Sequence, residues 1–174
     1  MAKSHKPILA GTLDALQRCA VVVDHLDTDQ FAGLIAGESG VGPHLRHCVE
    51  HFVCLLDGLN GEVIDYDSRA RDEELETNPD SFRQTLARVE TALDGLDPKS
   101  LTRVVCVRQI PSEGADAVTV ESTLARELLF LTNHTVHHIA IVRMLANALG
   151  VTLPESLALA PSTATYRANL VEQE

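Results

Sequence analysis

The sequence predicts an all-α protein: a four-helix bundle with a small β-hairpin inserted before the last long helix, and an irregular C-terminal tail from about 151 to 174. Three observations carry this. Four stretches place apolar residues at helical spacing. Two β-prone runs, 101–110 and 117–121, bracket a turn-rich segment between the third and fourth of those stretches. The 174 residues are 45% apolar, enough for one core, so residues 1–174 read as a single domain.

The first helix is expected from 7 to about 26, with Ile8, Leu9, Leu13, Leu16, Ala20 and Val23 on its apolar stripe and Pro7 suited to its first turn. Asp27, Thr28 and Asp29 break it, and 28–38 reads as a connection. Gly40, Gly42 and Pro43 lead into a second helix, about 43–56, with Leu45, Cys48, Phe52 and Leu55 on its stripe. Arg46, Glu50 and Asp57 read as its solvated face, and Gly58 and Gly61 as its end. A dense polar loop, 65–72, follows. The third helix, about 80–96, carries Phe82, Leu86, Val89 and Leu93 and is closed by Pro98. The fourth starts with Ser122 or Thr123 as N-cap and runs to about 149, where Gly150 stops it, a length of roughly 40 Å.

Composition narrows the function. Fourteen Lys and Arg against 25 Asp and Glu give a formal net charge of −11, which argues against a broad basic face for nucleic acid or anionic membrane. Aromatics are 3% with no Trp, which argues against a single-strand binder built on stacking. No apolar run approaches a membrane span, and residues 1–6 carry charge but no apolar core of a secretory signal. Cys19, Cys48, Cys54 and Cys106 form no CxxC pair, so a reducing, cytoplasmic setting without disulfides is expected. Cys48, on the apolar stripe, reads as core; Cys54 lies nearer the histidine edge.

Six of the eight histidines fall in two short windows: His44, His47 and His51 on the second helix, and His134, His137 and His138 on the fourth. His134 and His138 are four apart, one turn along nearly the same face, and Ile141, Val142 and Leu145 continue that face towards the core. His47 and His51 share the spacing, and His137 is displaced around its helix. Two imidazoles from one helix and one from another make a bundle metal site that leaves a coordination position open for water or substrate. A lone histidine on an apolar face is more often a packed core or rim residue, and His5 and His25 take that reading. The residues alone leave the second-helix ligand open, with His44 and His51 nearer the apolar stripe than His47.

The windows VGPHLRHCVEH (41–51) and NHTVHHIAIVR (133–143) resemble the DinB-like family, small metal-binding four-helix bundles related to bacillithiol transferases and mycothiol-dependent maleylpyruvate isomerases. The resemblance covers most of the chain. It implies a divalent ion, zinc or nickel, held by His47 (with Glu50 three positions on), His134 and His138, with His51 in reserve. It also implies thiol transfer or hydrolysis on a small electrophile and a low-molecular-weight thiol as partner. A homodimer is expected on other grounds, because bundles of this size often pair helices symmetrically. The competing expectation is a non-catalytic metal-binding or stress-related protein in which the histidines clamp the second and fourth helices, with a fourth ligand closing the site.

Two further features bear on chemistry. Glu127 lies seven residues before His134 and could face the site as a base; the simpler reading, a rim acid in a helix's first turn, is preferred. The loop 65–72 brings Tyr66, Arg69 and Arg71 together as candidate substrate-binding residues, because Arg pairs with carboxylate or phosphate through two hydrogen bonds. The simpler reading there is a loop of internal ion pairs, Asp65 and Asp67 against Arg69 and Arg71, and it is preferred.

Overall fold

Pro7 sits in the first turn of α1 (Lys6–Asp24), where a missing N–H costs nothing, and the stripe through Leu9, Leu16, Cys19, Val22 and Val23 is buried. The structure, a computed structural model, describes residues 5–35, 37 and 39–171. Residues 1–4, expected to hold no secretory signal, and 172–174, the end of the tail, lie outside them, as do 36 and 38 in the connection.

Four long helices form the bundle: α1, α3 (Val41–Asn60), α5 (Pro79–Asp94) and α6 (Leu124–Ala148). Both α5 and α6 pack against both α1 and α3. Their apolar stripes meet in one core around Leu16, Leu45, Phe52, Leu55, Phe82, Leu93, Leu128, Leu131 and Ile139. Each such side chain, fully buried, contributes about 1.5–3 kcal/mol relative to exposure. Thr12 and Thr132 bond across α1 and α6 at 3.0 Å, which gives these two hydroxyls a partner inside that packing. Of the two candidate N-caps, Thr123 caps α6 by accepting from the Arg126 N–H.

The connection after α1 is more structured than expected. Asp27 and Gln30 form a capping box that starts the short helix α2 (Thr28–Ala32), and β1 (Leu34–Ile35) pairs antiparallel with β2 (Ser39–Gly40). Helix α3 runs through Gly58 and ends at Gly61. A Cβ on Gly58 would lie 2.6 Å from the Ile64 side chain, so glycine lets the chain fold back into β3 (Ile64–Asp65).

The hairpin is present as β4 (Val104–Gln109) and β5 (Val118–Thr123), antiparallel with Val107 opposite Val120. The sequence did not suggest a third strand. β3 pairs parallel to β4, Ile64 opposite Val107, in the order β3-β4-β5. This pairing fixes where the polar loop begins, and therefore where Tyr66 stands.

Glu50 does not belong to a solvated face. It is 3% exposed, because α4 (Glu74–Thr77) lies across α3 and the chain at Asp72 closes over it. Glu50 Oε1 accepts from the Asp72 N–H at 2.8 Å, and Arg46 pairs with Glu76 at 2.9 Å and Glu50 at 3.5 Å. A Cβ on Gly42 would sit 1.9 Å from the Glu76 carbonyl oxygen, so only glycine allows that approach. Asp57 is exposed as expected. Nor is the tail irregular throughout. Leu153 and Leu157 are buried, Arg18 donates to the carbonyls of Leu157 and Leu159, and Pro161 opens a helix, α7 (Pro161–Val171). Residues 161–170 are all exposed, so no apolar stripe marked that helix in the sequence. No helix among the described residues is long and apolar enough to cross a membrane.

Candidate metal centre

Residues 44, 47 and 51 recur every three or four positions on α3, and 134 and 138 do so on α6. Where α3 and α6 pack, the two rows meet. His47 Nε2 and His134 Nε2 are 3.0 Å apart, and His44 Nδ1 and His138 Nδ1 are 2.9 Å apart. His47, His51 and His134 each offer a ring nitrogen, all within 4.8 Å of one another. The ring of His138 lies 4.6 Å from that of His47 and 4.5 Å from that of His134.

These distances fit a shared ion. Two imidazoles on one tetrahedral ion at ordinary Zn–N lengths have nitrogens about 3.3 Å apart. The cluster could hold a metal ion, and imidazole is a donor that suits several transition metals.

The ring orientations are set by outer contacts. His51 Nδ1 donates to the His47 carbonyl at 2.6 Å, which leaves His51 Nε2 as a lone pair. Arg69 Nη1, which can only donate, approaches that nitrogen at 3.4 Å, so both contacts agree on one tautomer. His44 Nε2 meets Ser39 Oγ at 3.0 Å. The ring of Phe130 stacks on that of His134, with centroids 5.7 Å apart and planes 21° apart, and Arg126 lies over the other end of this stack, 5.1 Å from the Phe130 centroid.

Burial, ahead of every other cause, holds the imidazoles neutral at pH 7. It takes His47 down to about 3, with His51, His138 and Arg69 adding repulsion. His51 falls to about 4 through burial, partly offset by its bond to the His47 carbonyl. His138 falls to about 4 through burial and then its neighbours His134 and His44. His44 and His134 shift the same way for the same first reason. Neutral imidazole is the metal-binding form.

Of the expected residues, His47 and His134 face each other directly, and His138 stands beside both. His51, the reserve, is buried and lies within the closest group of ring nitrogens. His137 is exposed, its ring 5.6 Å from that of His138. Cys48 is buried with its thiol pushed up by burial, as a core residue. Cys54 is half-buried and also raised by burial, and all four cysteines are free.

The loop departs from the preferred reading. Asp65 accepts from the N–H groups of Asp67 and Ser68, and Asp67 accepts from the Ile110 N–H at 2.6 Å. Asp65 forms its ion pair with Arg108, at 3.7 Å. Arg69 donates to the Tyr66 carbonyl and reaches His51. Arg71 is exposed, has the positive φ of 55°, and donates to the carbonyls of Arg69 and Asp67. Backbone acceptors, rather than internal ion pairs, therefore hold both arginines.

Glu127 is not a rim residue: it is 1% exposed, because Tyr66 and Ser122 close over the start of α6. Tyr66 Oη donates to Glu127 Oε2 at 2.9 Å, Ser122 Oγ to Oε1 at 2.5 Å, and Arg126 to Oε1 at 3.1 Å. The ring of Tyr66 lies 5.5 Å from that of His51, which links this network to the cluster. The sequence held a trace of it: Glu127 and Phe130 precede His134 by seven and four positions, on one face of α6.

No family model matches the chain. FK506-binding protein 5 of Rhizopus delemar is 26% identical over 102 residues, which are 58% of this chain but only 26% of that protein. The crystal structure of a DinB-like protein from Bacillus cereus ATCC 10987 superposes with a TM-score of 0.60 at 18% identity, covering 88% of this chain and 98% of that one. With the bundle order and the two histidine rows in place, the chain has the DinB-like fold.

Proposed function

We propose that this chain is an enzyme that uses a divalent ion, zinc or nickel, for thiol transfer or hydrolysis on a small electrophile. The observation that carries the ion is the pair of facing nitrogens, His47 Nε2 and His134 Nε2 at 3.0 Å, in a cluster whose burial keeps it neutral. The resemblance gives the ligands as His47, His134 and His138; the ring nitrogens within 4.8 Å of one another are those of His47, His51 and His134, so His51 is the competing third donor. When bound, such an ion supplies Lewis acidity, which favours the thiolate or hydroxide form of a nucleophile at neutral pH. The chain's own residues do the rest. The His51 bond to the His47 carbonyl orients one ring, Phe130 shields His134 on one face, and Tyr66 walls the site beside His51. The resemblance to the DinB-like family, which is related to bacillithiol and mycothiol enzymes, supports a thiol as the nucleophile.

A second reading has its own observation. Four rings, His47, His51, His134 and His138, form a continuous cluster with neighbouring centroids 4.4–5.0 Å apart, enough imidazoles to close a tetrahedral site as a clamp between α3 and α6. The two readings part in one assay. Metal-loaded protein is mixed with a panel of small thiols and a chromogenic aryl halide, and separately with activated esters. Turnover that disappears on chelation and in His134→Ala supports the enzyme. Metal retention without turnover on any of them supports the clamp.

A further inference from the structure

Arg69 is the feature that neither reading uses. Its guanidinium is half-buried, 3.4 Å from His51 Nε2, and its charge is felt at His47, His51 and His134. Among the described residues it forms no ion pair with a carboxylate. The nearby acids Glu50 and Asp67 favour its charge from a distance but make no contact with it, and each has its own partners. Asp67 accepts from the Ile110 N–H, Asp65 caps its own turn and pairs with Arg108, Glu50 holds Asp72 and Arg46, and Glu127 holds Tyr66, Ser122 and Arg126. Burial pushes the Cys54 thiol up, so it supplies no counter-charge.

A half-buried cation without an acidic partner is costly, and a divalent ion on the neighbouring imidazoles adds two more positive charges. An anion reaching both groups would relieve that. We infer that the histidine cluster and Arg69 together form a subsite for an oxyanion, so that the substrate or co-substrate is a small molecule bearing a carboxylate or a phosphate. This deepens the proposed function and rests on its metal. The fork of Arg69 would take the acid group and so orient the molecule's reactive end at the ion. The backbone holds Arg69 in place: its bond to the Tyr66 carbonyl fixes the stem of the loop, and β3 fixes Tyr66.

The test uses full-length protein loaded with Co(II), with cobalt per chain measured first and the visible cobalt bands followed on titration with acetate and, separately, with inorganic phosphate at constant ionic strength. Parent protein is expected to show a saturable spectral change with at least one anion, and the tighter of the two tells carboxylate from phosphate. Arg69→Ala should weaken that binding at least tenfold while keeping about one cobalt per chain. Arg69→Lys, which keeps the charge and loses the fork, should fall between, and it decides the matter if the alanine variant does not fold. Equal affinities in parent and both variants, or no spectral change with either anion up to 100-fold above the cobalt concentration, would overturn the subsite. Failure of the parent to hold cobalt would overturn the metal reading and the subsite with it, and is distinguished by the stoichiometry.

Discussion

Each clustered imidazole refuses a proton chiefly because burial strips water from its charged form, and this has a consequence for stability. The unfolded chain takes up protons at these residues near pH 6.5, whereas the folded chain does so only near 3 for His47 and near 4 for His51 and His138. Below pH 6.5 the unfolded state therefore binds more protons than the folded one, and stability falls as pH drops from about 6.5 towards 4. Above 6.5 the contribution is complete. In metal-free protein, the urea midpoint should fall more steeply across that window in the parent than in a His47→Gln, His51→Gln double variant. Equal slopes would contradict the burial argument.

At the scale of elements, the sheet and α6 meet on one carboxylate. Glu127→Ala would leave the Tyr66 and Ser122 hydroxyls without their acceptor, at a cost of about 2–4 kcal/mol in urea unfolding, while Glu127→Gln should cost less because one acceptor remains. An unchanged midpoint in Glu127→Ala would remove the network from the account. The same elements show what the sequence revealed. The stripes through Leu16, Leu45, Phe82 and Leu131 are periodic, so the four long helices were legible, and the hairpin followed from two β-prone runs around a turn. The row of histidines on α6 was legible for the same reason. β3 was not, because two residues pairing in parallel with a strand some forty positions on leave no local pattern. The burial of Glu50 and Glu127 was invisible for a related reason: each is covered by a segment distant in sequence, Asp72 over one and Tyr66 over the other. Residues 161–170 of α7 are all exposed, so that helix left no periodic trace.

At the scale of the whole molecule, the histidine cluster ties α3 to α6, and a ligand that binds only the folded arrangement stabilises it by mass action. An ion present at about 100 times its dissociation constant adds about 2.7 kcal/mol. For a chain of this size that raises the melting temperature by roughly 5–10 °C. Adding zinc or nickel to chelator-treated protein and following the melt should show this rise, and a melt insensitive to both ions would speak against any shared ion between the helices. The most direct measurement is metal content, by elemental mass spectrometry on protein free of any polyhistidine tag, for the parent beside His47→Ala, His134→Ala, His138→Ala and His51→Ala. About one divalent ion per chain is expected in the parent, with loss in His47→Ala and His134→Ala, and loss in whichever of His138→Ala and His51→Ala removes the third ligand. A parent that holds no metal after incubation with zinc and nickel, or a full ion retained in both His47→Ala and His134→Ala, would contradict it.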